Sequence, residues 1–496
     1  MISSRAIGSH KFSAAVLACA IATLTYGELT HAKAPDTGSA IAQVQRLQVR
    51  TPTVTGPISV TTTPGVGDTR NYPFFSAEPQ VDLARAGYVE EEFFIDGTAT
   101  RFDTPALSNA IQVSSGHPYK TRIVVRRPVN EHKFNGVVMV EWANVTSGYG
   151  IDIHWQQSYE YLMREGYAFV RVDAQRVGVH QPNSGLKDWS PNRYGSLDLT
   201  AGGSITDDSL SYDIFSQIAK AIKSPDLQKK LLGGLHPKIL LAVGQSQSAR
   251  RLTLYYNSIQ PLHQLVDGFL IQVQGGPFRT DVKTPMMRVI SETELAISGL
   301  GESRQPDGPN LRGWEITGAA HVEYTWVQHR QALATRDKMT PPNLACSPEP
   351  ASHVPLHYVM NAGYHHLVNW ITRGVAPPHA KPVFMTSIKP AVIPRDANGI
   401  AYGGIRQPQV EVPLATNRGD QPGMSSGCPK NYGMHVPFDD EKLAQLYPSK
   451  DDYLRSVRAA VRTNVQEGFL LKEDAEEIIQ RAESSNAGTG RAVSIR

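Results

Sequence analysis

Several features that mark other protein classes are scarce in this 496-residue sequence. It contains three cysteines, and only 19% of its residues are charged, with 49 basic and 46 acidic residues giving a net charge of +3. No long run of like charges occurs, which argues against a nucleic-acid partner. No stretch reaches the ~20 apolar residues of a membrane-spanning helix. We therefore expect a small-molecule substrate and no transmembrane segment in the mature protein; the oligomeric state stays open.

Sequence motifs for common cofactors are also absent. Neither the Gly-x-Gly-x-x-Gly dinucleotide motif nor a phosphate-binding Gly-x-x-x-x-Gly-Lys motif occurs. His357, His365 and His366 fall on one predicted helix, but their spacing does not match a zinc motif, and no close Cys/His set accompanies them. We interpret them as partly buried structural histidines, and we expect neither a cofactor nor a metal ion.

The amino terminus has the pattern of a secretory signal. Two basic residues precede a small and apolar run from Phe12 to about Tyr26, and Ala32-Lys33-Ala34 follows. The run is shorter than a bilayer span, so residues 1–34 are predicted to be a signal peptide rather than a retained anchor. The protein is then secreted or periplasmic, with lipid attachment at Cys19 as the alternative.

The signal prediction bears on the cysteines. Removal of residues 1–34 takes away Cys19 and leaves Cys346 and Cys428. Two cysteines in an oxidising compartment favour a disulfide bond between them. The alternative is two unrelated buried thiols.

The apolar pattern predicts an α/β fold. Tyr88–Ile95, which ends at the turn signal Asp96-Gly97, and Tyr119–Pro128 are typical of antiparallel strands. Later apolar runs are short and nearly continuous, as in strands buried on both faces of a parallel sheet, and they alternate with helical patterns. These runs are Val137–Val140, Tyr167–Val172, Ile239–Val243, Phe269–Val273, Met286–Ile290 and Trp314–Ile316.

We divide the chain accordingly. After the signal, residues 35–86 form an extended amino-terminal segment, residues 87–335 form the α/β core, and residues 336–496 form a helical and hairpin extension of the same unit. The predicted extension includes helices over Leu356–Thr372, from the capping residue Ser449 to Glu467, and over Glu473–Glu483. We expect this extension to pack on the central sheet or to cover a site.

A candidate nucleophile follows one of the buried strands. The segment Gly244-Gln245-Ser246-Gln247-Ser248 leads from that strand directly into a helix. A sharp turn of this kind exposes a serine hydroxyl, and it needs small residues two positions before and after the serine. Ser248 stands where glycine is commoner. The alternative is that Ser248 only caps a structural helix.

Two further strands end in residues that complement a serine. The strand ending at Ile316 is followed by Gly318-Ala319-Ala320-His321, and His321 is the candidate base, with a surface histidine as the alternative. For the orienting acid we favour Glu292, which lies nearest the preceding strand end. Glu294 is the alternative, favoured by gapless comparison with the usual turn, and Asp307 is a third choice.

The oxyanion formed during acyl transfer would need backbone donors. The residue after the nucleophile, Gln247, is expected to supply one N–H. The second should come from the loop after the strand Val137–Val140, where Asn144 and Val145 are the candidates.

With these residues in place, the sequence resembles the bacterial secreted family described as "alpha/beta hydrolase domain". The resemblance runs from about Gly87 to Glu483 through segments such as EWANVTSG, AVGQSQSARRLTLYYNSI, VISETEL and GWEITGAAHVEYT. It implies an α/β-hydrolase fold with a mostly parallel central sheet, a nucleophile at Ser246 and a base at His321. Glu292 and Glu294 both fit the family's acidic motif.

We therefore expect a serine hydrolase that acts on carboxylic esters through an acyl-enzyme. An acyltransferase or lyase using the same three residues is one alternative, and a non-catalytic binding protein of this fold is another.

Overall fold

The computed structural model of the protein describes residues 46–60, 70–77, 81–341, 351–422 and 430–489. These residues all belong to one compact unit, Val44–Arg496. The predicted signal peptide 1–34, including Cys19, lies outside the described residues, and so do Cys346 and Cys428 of the predicted disulfide.

One large mixed sheet forms the centre of the molecule. In the described part of the chain its strands are β1 (Thr53–Thr55), β2 (Tyr88–Asp103), β3 (Ile111–Pro128), β4 (Val137–Trp142), β5 (Ala168–Val172), β6 (Ile239–Gln245), β7 (Gly268–Gln272), β8 (Met286–Ser291) and β9 (Leu311–Ile316). Their order is β1-β2-β3-β5-β4-β6-β7-β8-β9. The pairs β1–β2, β2–β3 and β3–β5 are antiparallel, and all pairs from β5 to β9 are parallel.

The burial of the parallel strands explains their sequences. Every residue of β4 through β8 is buried. Strands covered by helices on both faces gain from apolar side chains at every position, rather than at alternate ones. The predicted mostly parallel sheet with antiparallel amino-terminal strands is thereby confirmed.

The predicted turn at Asp96-Gly97 is wrong. β2 continues through both residues to Asp103, and Gly97 pairs with Tyr119 of β3. A Cβ atom at Gly97 would lie 3.2 Å from Gln217 Oε1 and 3.4 Å from the Tyr119 ring. Gly97 therefore permits close packing within an extended strand, which is the other common use of glycine in a sheet.

Helices cover the sheet. Within the described residues they are α1 (Ile153–Arg164), α2 (Arg176–His180), α3 (Leu186–Trp189), α4 (Pro191–Tyr194), α5 (Ser211–Lys223), α6 (Pro225–Leu232), α7 (Gln247–Leu254), α8 (Gln260–His263), α9 (Glu292–Ala296), α10 (Tyr324–Arg336), α11 (Leu356–Arg373), α12 (Pro408–Glu411), α13 (Asp440–Leu446), α14 (Lys450–Glu467) and α15 (Lys472–Ser484). A π-helical turn, Tyr255–Ile259, joins α7 to α8. None of the helices that the structure describes has the length and apolar character needed to cross a membrane.

The carboxy-terminal segment packs on the sheet through α11. The side chains of Leu356, Val359 and Leu367 are fully buried, as the helical spacing predicted. A Cβ atom at Gly268, the first residue of β7, would lie 2.6 Å from Ile371 Cδ1, so the helix sits directly against the strand. The predicted cap of α14 is also confirmed, because the Ser449 side chain accepts a hydrogen bond from the Asp452 N–H.

Two short hairpins complete this segment. They are formed by β10 (Ser387–Ile388) with β11 (Ala391–Val392), and by β12 (Ala415–Arg418) with β13 (Met434–Pro437). Beside the sheet edge, Ile405 forms a parallel bridge with Ile316 of β9. The carboxy-terminal segment therefore reaches the end of β9 at which the candidate histidine loop begins.

Candidate active site

The site lies where several parallel strands end. β4, β6, β8 and β9 run in the same direction, so the residues that follow them lie along one edge of the sheet. Ser246 follows β6, α9 follows β8, and the loop with His321 follows β9. The topology thus brings together side chains that are far apart in sequence.

Ser246 occupies a sharp turn between β6 and α7. Its backbone has φ 57° and ψ −114°, a conformation that L-residues rarely adopt and that costs roughly 1–3 kcal/mol. The Ser246 N–H donates to the carbonyl of Gln272 at 3.0 Å, which fixes the turn to the neighbouring strand. The strained backbone places the side chain at the strand end, as expected of a nucleophile elbow.

The flanking small residues have separate roles in this turn. A Cβ atom at Gly244 would lie 2.9 Å from Leu252 Cδ1 and 3.1 Å from the Ser248 carbonyl carbon, so only glycine fits there without a shift. Ser248 does more than fill a small position. Its hydroxyl donates to the Gln245 carbonyl at 3.0 Å and accepts from the Gln245 N–H at 3.1 Å. The departure from glycine at residue 248 therefore adds two hydrogen bonds to the turn.

His321 reaches Ser246 from the loop after β9. The distance from His321 Nε2 to Ser246 Oγ is 2.9 Å. The loop is held by two contacts: the His321 N–H donates to Thr293 Oγ1 at 3.1 Å, and Gln245 Nε2 donates to the His321 carbonyl at 3.2 Å. The imidazole is thus placed to accept the serine proton.

The carboxylate that contacts His321 is Glu294. Its Oε1 lies 2.6 Å from His321 Nδ1, and its side chain is 1% exposed. Its other oxygen accepts from the N–H and hydroxyl of Ser291, at 2.8 and 2.6 Å. The bond from the Ser291 N–H is one half of a capping box at the start of α9; in the other half the Ser291 side chain accepts from the Glu294 N–H. One buried carboxylate therefore both caps the helix and orients the histidine.

The expectation that Glu292 orients His321 is wrong. Glu292 Oε1 instead accepts from Arg395 Nη2 at 2.6 Å and from the Gly419 N–H at 3.1 Å, and Oε2 accepts from the Gly318 N–H at 2.8 Å. Glu292 is completely buried and ties the histidine loop to the carboxy-terminal segment. It supports the loop without contacting the imidazole.

The third candidate acid also lies elsewhere. Asp307 pairs with Arg312 at 2.9 Å and with His379 at 2.6 Å, away from His321. The pattern Ser291-x-x-Glu294 contained the information needed to select the acid. A capping box directs its glutamate back towards the helix start, where the neighbouring strand ends.

The candidate oxyanion donors differ in availability. The Asn144 N–H donates to the Ile151 carbonyl at 2.9 Å, so it is not available to an oxyanion. The Asn144 side chain donates to the Gln245 carbonyl. The Val145 N–H faces Gln247, whose Oε1 lies 3.3 Å away. Gln247 is the first residue of α7, and a backbone N–H at that position has no partner within the helix. Gln247 and Val145 therefore remain as the pair.

The side chain of Gln247 belongs to a network that sequence reasoning missed. Its Nε2 donates to Gln175 Oε1 at 3.0 Å, and Gln175 Nε2 donates to Asp208 Oδ2 at 3.1 Å. Arg251 of α7 closes the network through Asp208 at 2.8 Å. No local sequence pattern points to Gln175 or Asp208, because these contacts join separate loops.

Buried charges hold the loop that carries Val145. Arg171 Nη2 donates to the Gly150 carbonyl at 2.8 Å and pairs with Asp173 at 2.9 Å. At the end of the loop, Asp152 pairs with Arg126. A Cβ atom at Gly150 would lie 2.1 Å from Asp173 Oδ1, so the loop requires glycine there. These contacts fix the backbone of the loop that carries Val145.

The sequence match identifies the family. Residues 54–480 match the family described as an alpha/beta hydrolase domain. The chain belongs to this family. The match and the central sheet with its flanking helices together establish the α/β-hydrolase fold.

Comparison with solved structures gives distant similarities to this hydrolase. A dienelactone hydrolase from Anabaena variabilis is 16% identical, with 44% of this chain and 88% of that chain covered and a TM-score of 0.26. An α/β serine hydrolase from Xanthomonas campestris is 14% identical, with 50% and 97% covered and a TM-score of 0.27. No functionally curated protein matches the chain.

The described residues of this hydrolase contain no group of three or more His, Cys, Asp or Glu side chains that could hold a metal ion. Each of the three histidines of α11 contacts a different protein group. His357 pairs with Glu323, His366 Nε2 lies 2.8 Å from the Gly468 carbonyl, and His365 lies 2.9 Å from Asn369.

Proposed function

We propose that this hydrolase cleaves carboxylic esters through an acyl-enzyme on Ser246, with His321 as general base and Glu294 as the orienting carboxylate. The observation that carries the proposal is the chain of short contacts from Ser246 Oγ to His321 Nε2 at 2.9 Å and from His321 Nδ1 to Glu294 Oε1 at 2.6 Å. In this arrangement Nδ1–H donates to the carboxylate, which leaves Nε2 as the acceptor for the serine hydroxyl.

In the acylation step, His321 Nε2 takes the Ser246 proton while Oγ bonds to the ester carbonyl carbon. The imidazolium is stabilised by Glu294, and it then protonates the leaving alcohol as the carbon–oxygen bond breaks. A water molecule, deprotonated by His321, attacks the acyl carbon. His321 then returns this proton to Ser246 Oγ as the bond from Oγ to the acyl carbon breaks and the carboxylic acid leaves.

The negative charge on the carbonyl oxygen would be stabilised by the N–H groups of Gln247 and Val145. In the unliganded arrangement the Gln247 side chain faces the Val145 N–H at 3.3 Å, and this weak contact leaves room for replacement by a stronger acceptor. A developing oxyanion is such an acceptor, because charged hydrogen bonds are roughly twice as strong as neutral ones.

Hydrolysis of p-nitrophenyl acetate tests the proposed activity. Ser246→Ala and His321→Ala should each lower kcat by at least ~10⁴-fold, since the nucleophile and base act as a unit. Ser248→Ala, two residues away, removes hydrogen bonds of the turn but no reacting group and should retain most activity. Equal activity in Ser246→Ala and the wild type would contradict the proposal.

We further propose that the enzyme is exported and acts in the periplasm or outside the cell. The support is the basic and apolar pattern of residues 1–34. Intact-mass measurement of protein from the periplasm and medium would give a mature start near residue 35; an unprocessed chain in the cytoplasm would contradict export.

We also propose a disulfide between Cys346 and Cys428, because an exported protein folds in an oxidising compartment. Nonreducing peptide mapping of exported protein should find the two cysteines in one linked pair. Two free thiols in the exported protein would contradict it.

A further inference from the structure

A cavity lies beside β8 and β9, apart from the candidate active site. It has a volume of about 520 Å³, and Ser246, Gln247, His321 and Glu294 are not among its lining residues. We call it the β8–β9 cavity. Its charged lining residues are Arg288, Arg304, Asp307, Glu315 and the exposed Lys381, and its apolar ones include Phe278 and Leu311. Its volume falls within the range of small-molecule sites.

Arg288 is the unusual residue of this cavity. It is only 6% exposed, and its guanidinium donates to the carbonyl and the hydroxyl of Ser303, at 2.8 and 2.9 Å. Its Nε has no hydrogen-bond partner, and no carboxylate in the described ranges lies within 4.0 Å of its nitrogens. A buried cation without an anion is costly, because the few neutral contacts do not replace its hydration.

The nearby carboxylates are already engaged. Both oxygens of Glu315 bind Arg304, each at 2.7 Å, and Oε2 also accepts from the Val383 N–H. Asp307 binds Arg312 and His379. Since Glu315 and Asp307 each have a close cationic partner, neither forms a close ion pair with Arg288. Glu315 and Glu294 act on its charge only from a longer distance, so the guanidinium borders the cavity without a carboxylate in contact.

We propose that the β8–β9 cavity binds a small organic monocarboxylate, with Arg288 as its counter-ion and Phe278 and Leu311 against its apolar part. A carboxylate accepts two parallel hydrogen bonds from a guanidinium, so it would use donors that Ser303 leaves free. The aromatic and aliphatic wall favours an acid with a hydrocarbon body over inorganic phosphate. This inference does not depend on Ser246 chemistry.

Isothermal titration calorimetry with benzoate tests the charge requirement. Benzoate should bind the wild-type protein saturably, whereas benzamide, which has the same shape without charge, and inorganic phosphate should bind at least ~10-fold more weakly. Arg288→Met keeps a similar volume and removes the cation, so it should weaken benzoate binding by about 10- to 100-fold.

A second variant tests the location without changing Arg288. A Cβ atom at the lining residue Gly313 would have only Asp307 Oδ1 within 4 Å, at 3.8 Å, so Gly313→Val should fold and fill part of the cavity. It should abolish benzoate binding, whereas the control Gly308→Ala, at a position with open space outside the lining, should retain it.

Undetectable benzoate binding to the wild type, or unchanged affinity in folded Arg288→Met or Gly313→Val, would overturn the proposal. If Arg288→Met does not fold, benzoate binding to Gly313→Val decides whether the proposal stands.

Discussion

At the scale of single residues, the two buried carboxylates at the start of α9 differ in their partners. Glu294 contacts His321 and Ser291, whereas Glu292 contacts Arg395 and backbone N–H groups of two loops. Both are nearly inaccessible to solvent. Their substitution should therefore affect different properties, activity in one case and stability in the other.

Glu294→Gln should lower kcat for p-nitrophenyl acetate by about 10³- to 10⁴-fold, because an amide can neither hold the productive tautomer nor stabilise the imidazolium. The matched variant Glu292→Gln should retain a much larger share of kcat. It should lower the free energy of unfolding by about 1–3 kcal/mol, since Arg395 keeps its pair with Asp420 but loses the charged hydrogen bond to Glu292. Steady-state kinetics and urea unfolding of both variants measure the two effects. A greater loss of kcat in folded Glu292→Gln would contradict the assignment of the acid.

The Val145 N–H allows a similarly matched pair of variants. Val145→Pro removes the proposed oxyanion donor and should lower kcat by roughly 10²-fold. Val145→Ala keeps the N–H and loses only part of an apolar side chain, so its kcat should stay close to that of the wild type. Circular dichroism establishes that both variants are folded. Equal kcat in the two folded variants would exclude this N–H from transition-state stabilisation.

The positions of the serine and the histidine could be predicted from the sequence, because each depends on the strand directly before it. Ser246 and His321 each follow a short buried strand within a few residues, so the strand pattern places them. The choice between Glu292 and Glu294 depends on where two neighbouring side chains point. Proximity to the strand end favoured Glu292, but the capping interaction with Ser291 directs Glu294 to the histidine.

At the scale of elements, the β6–α7 turn depends on a close approach between strand and helix. Gly244→Ala would place a Cβ atom 2.9 Å from Leu252 and should lower the free energy of unfolding by about 1–3 kcal/mol, as overpacking does. Gly308→Ala, in open space, is the matched control and should change it little. Chemical denaturation of both variants and the wild type measures their free energies of unfolding. No destabilisation by Gly244→Ala would contradict the described packing of the turn.

The elements themselves could be predicted where burial is uniform. β4 through β8 have nearly continuous apolar sequences, each containing at least one polar residue, because both faces of the sheet are covered. The length of β2 could not be predicted, because Asp96-Gly97 is typical of a turn when read locally. The packing of Gly97 against Gln217 and Tyr119 involves residues distant in sequence.

At the scale of the whole molecule, buried histidines make stability depend on pH. Burial lowers the pKa of His154 and His435 to about 3 and that of His263, His329 and His353 to about 4. Between roughly pH 6.5 and pH 4 the unfolded chain therefore binds protons that the folded protein does not. This contribution to stability is complete above about pH 6.5 and is lost as the pH falls.

A single substitution measures the contribution of one histidine. His263 Nδ1 lies 2.7 Å from Ser216 Oγ, and asparagine can place an amide atom near the same position. His263→Asn should reduce the slope of unfolding free energy against pH, between about pH 4.5 and 6, by up to ~1.4 kcal/mol per pH unit. Urea unfolding of both proteins at several pH values in this range measures the slope. A slope identical to that of the wild type would contradict a lowered pKa for His263.

The long-range organisation of the molecule was the least predictable from sequence. Gln175, Asp208 and Arg395 contact groups of the site from loops that carry no motif, and each contact depends on the completed fold. The same holds for Arg288, whose lack of a carboxylate partner emerges only when the neighbouring strands and loops are in place.

Covalent labelling tests the central claim, that Ser246 is a nucleophile activated by His321, most directly. A fluorophosphonate should add one adduct to the full-length protein, and peptide mass spectrometry should locate it on Ser246. The adduct should be absent in Ser246→Ala and should form far more slowly in His321→Ala and Glu294→Gln than in Glu292→Gln. No labelling of the wild type, or labelling that persists in Ser246→Ala, would contradict the account.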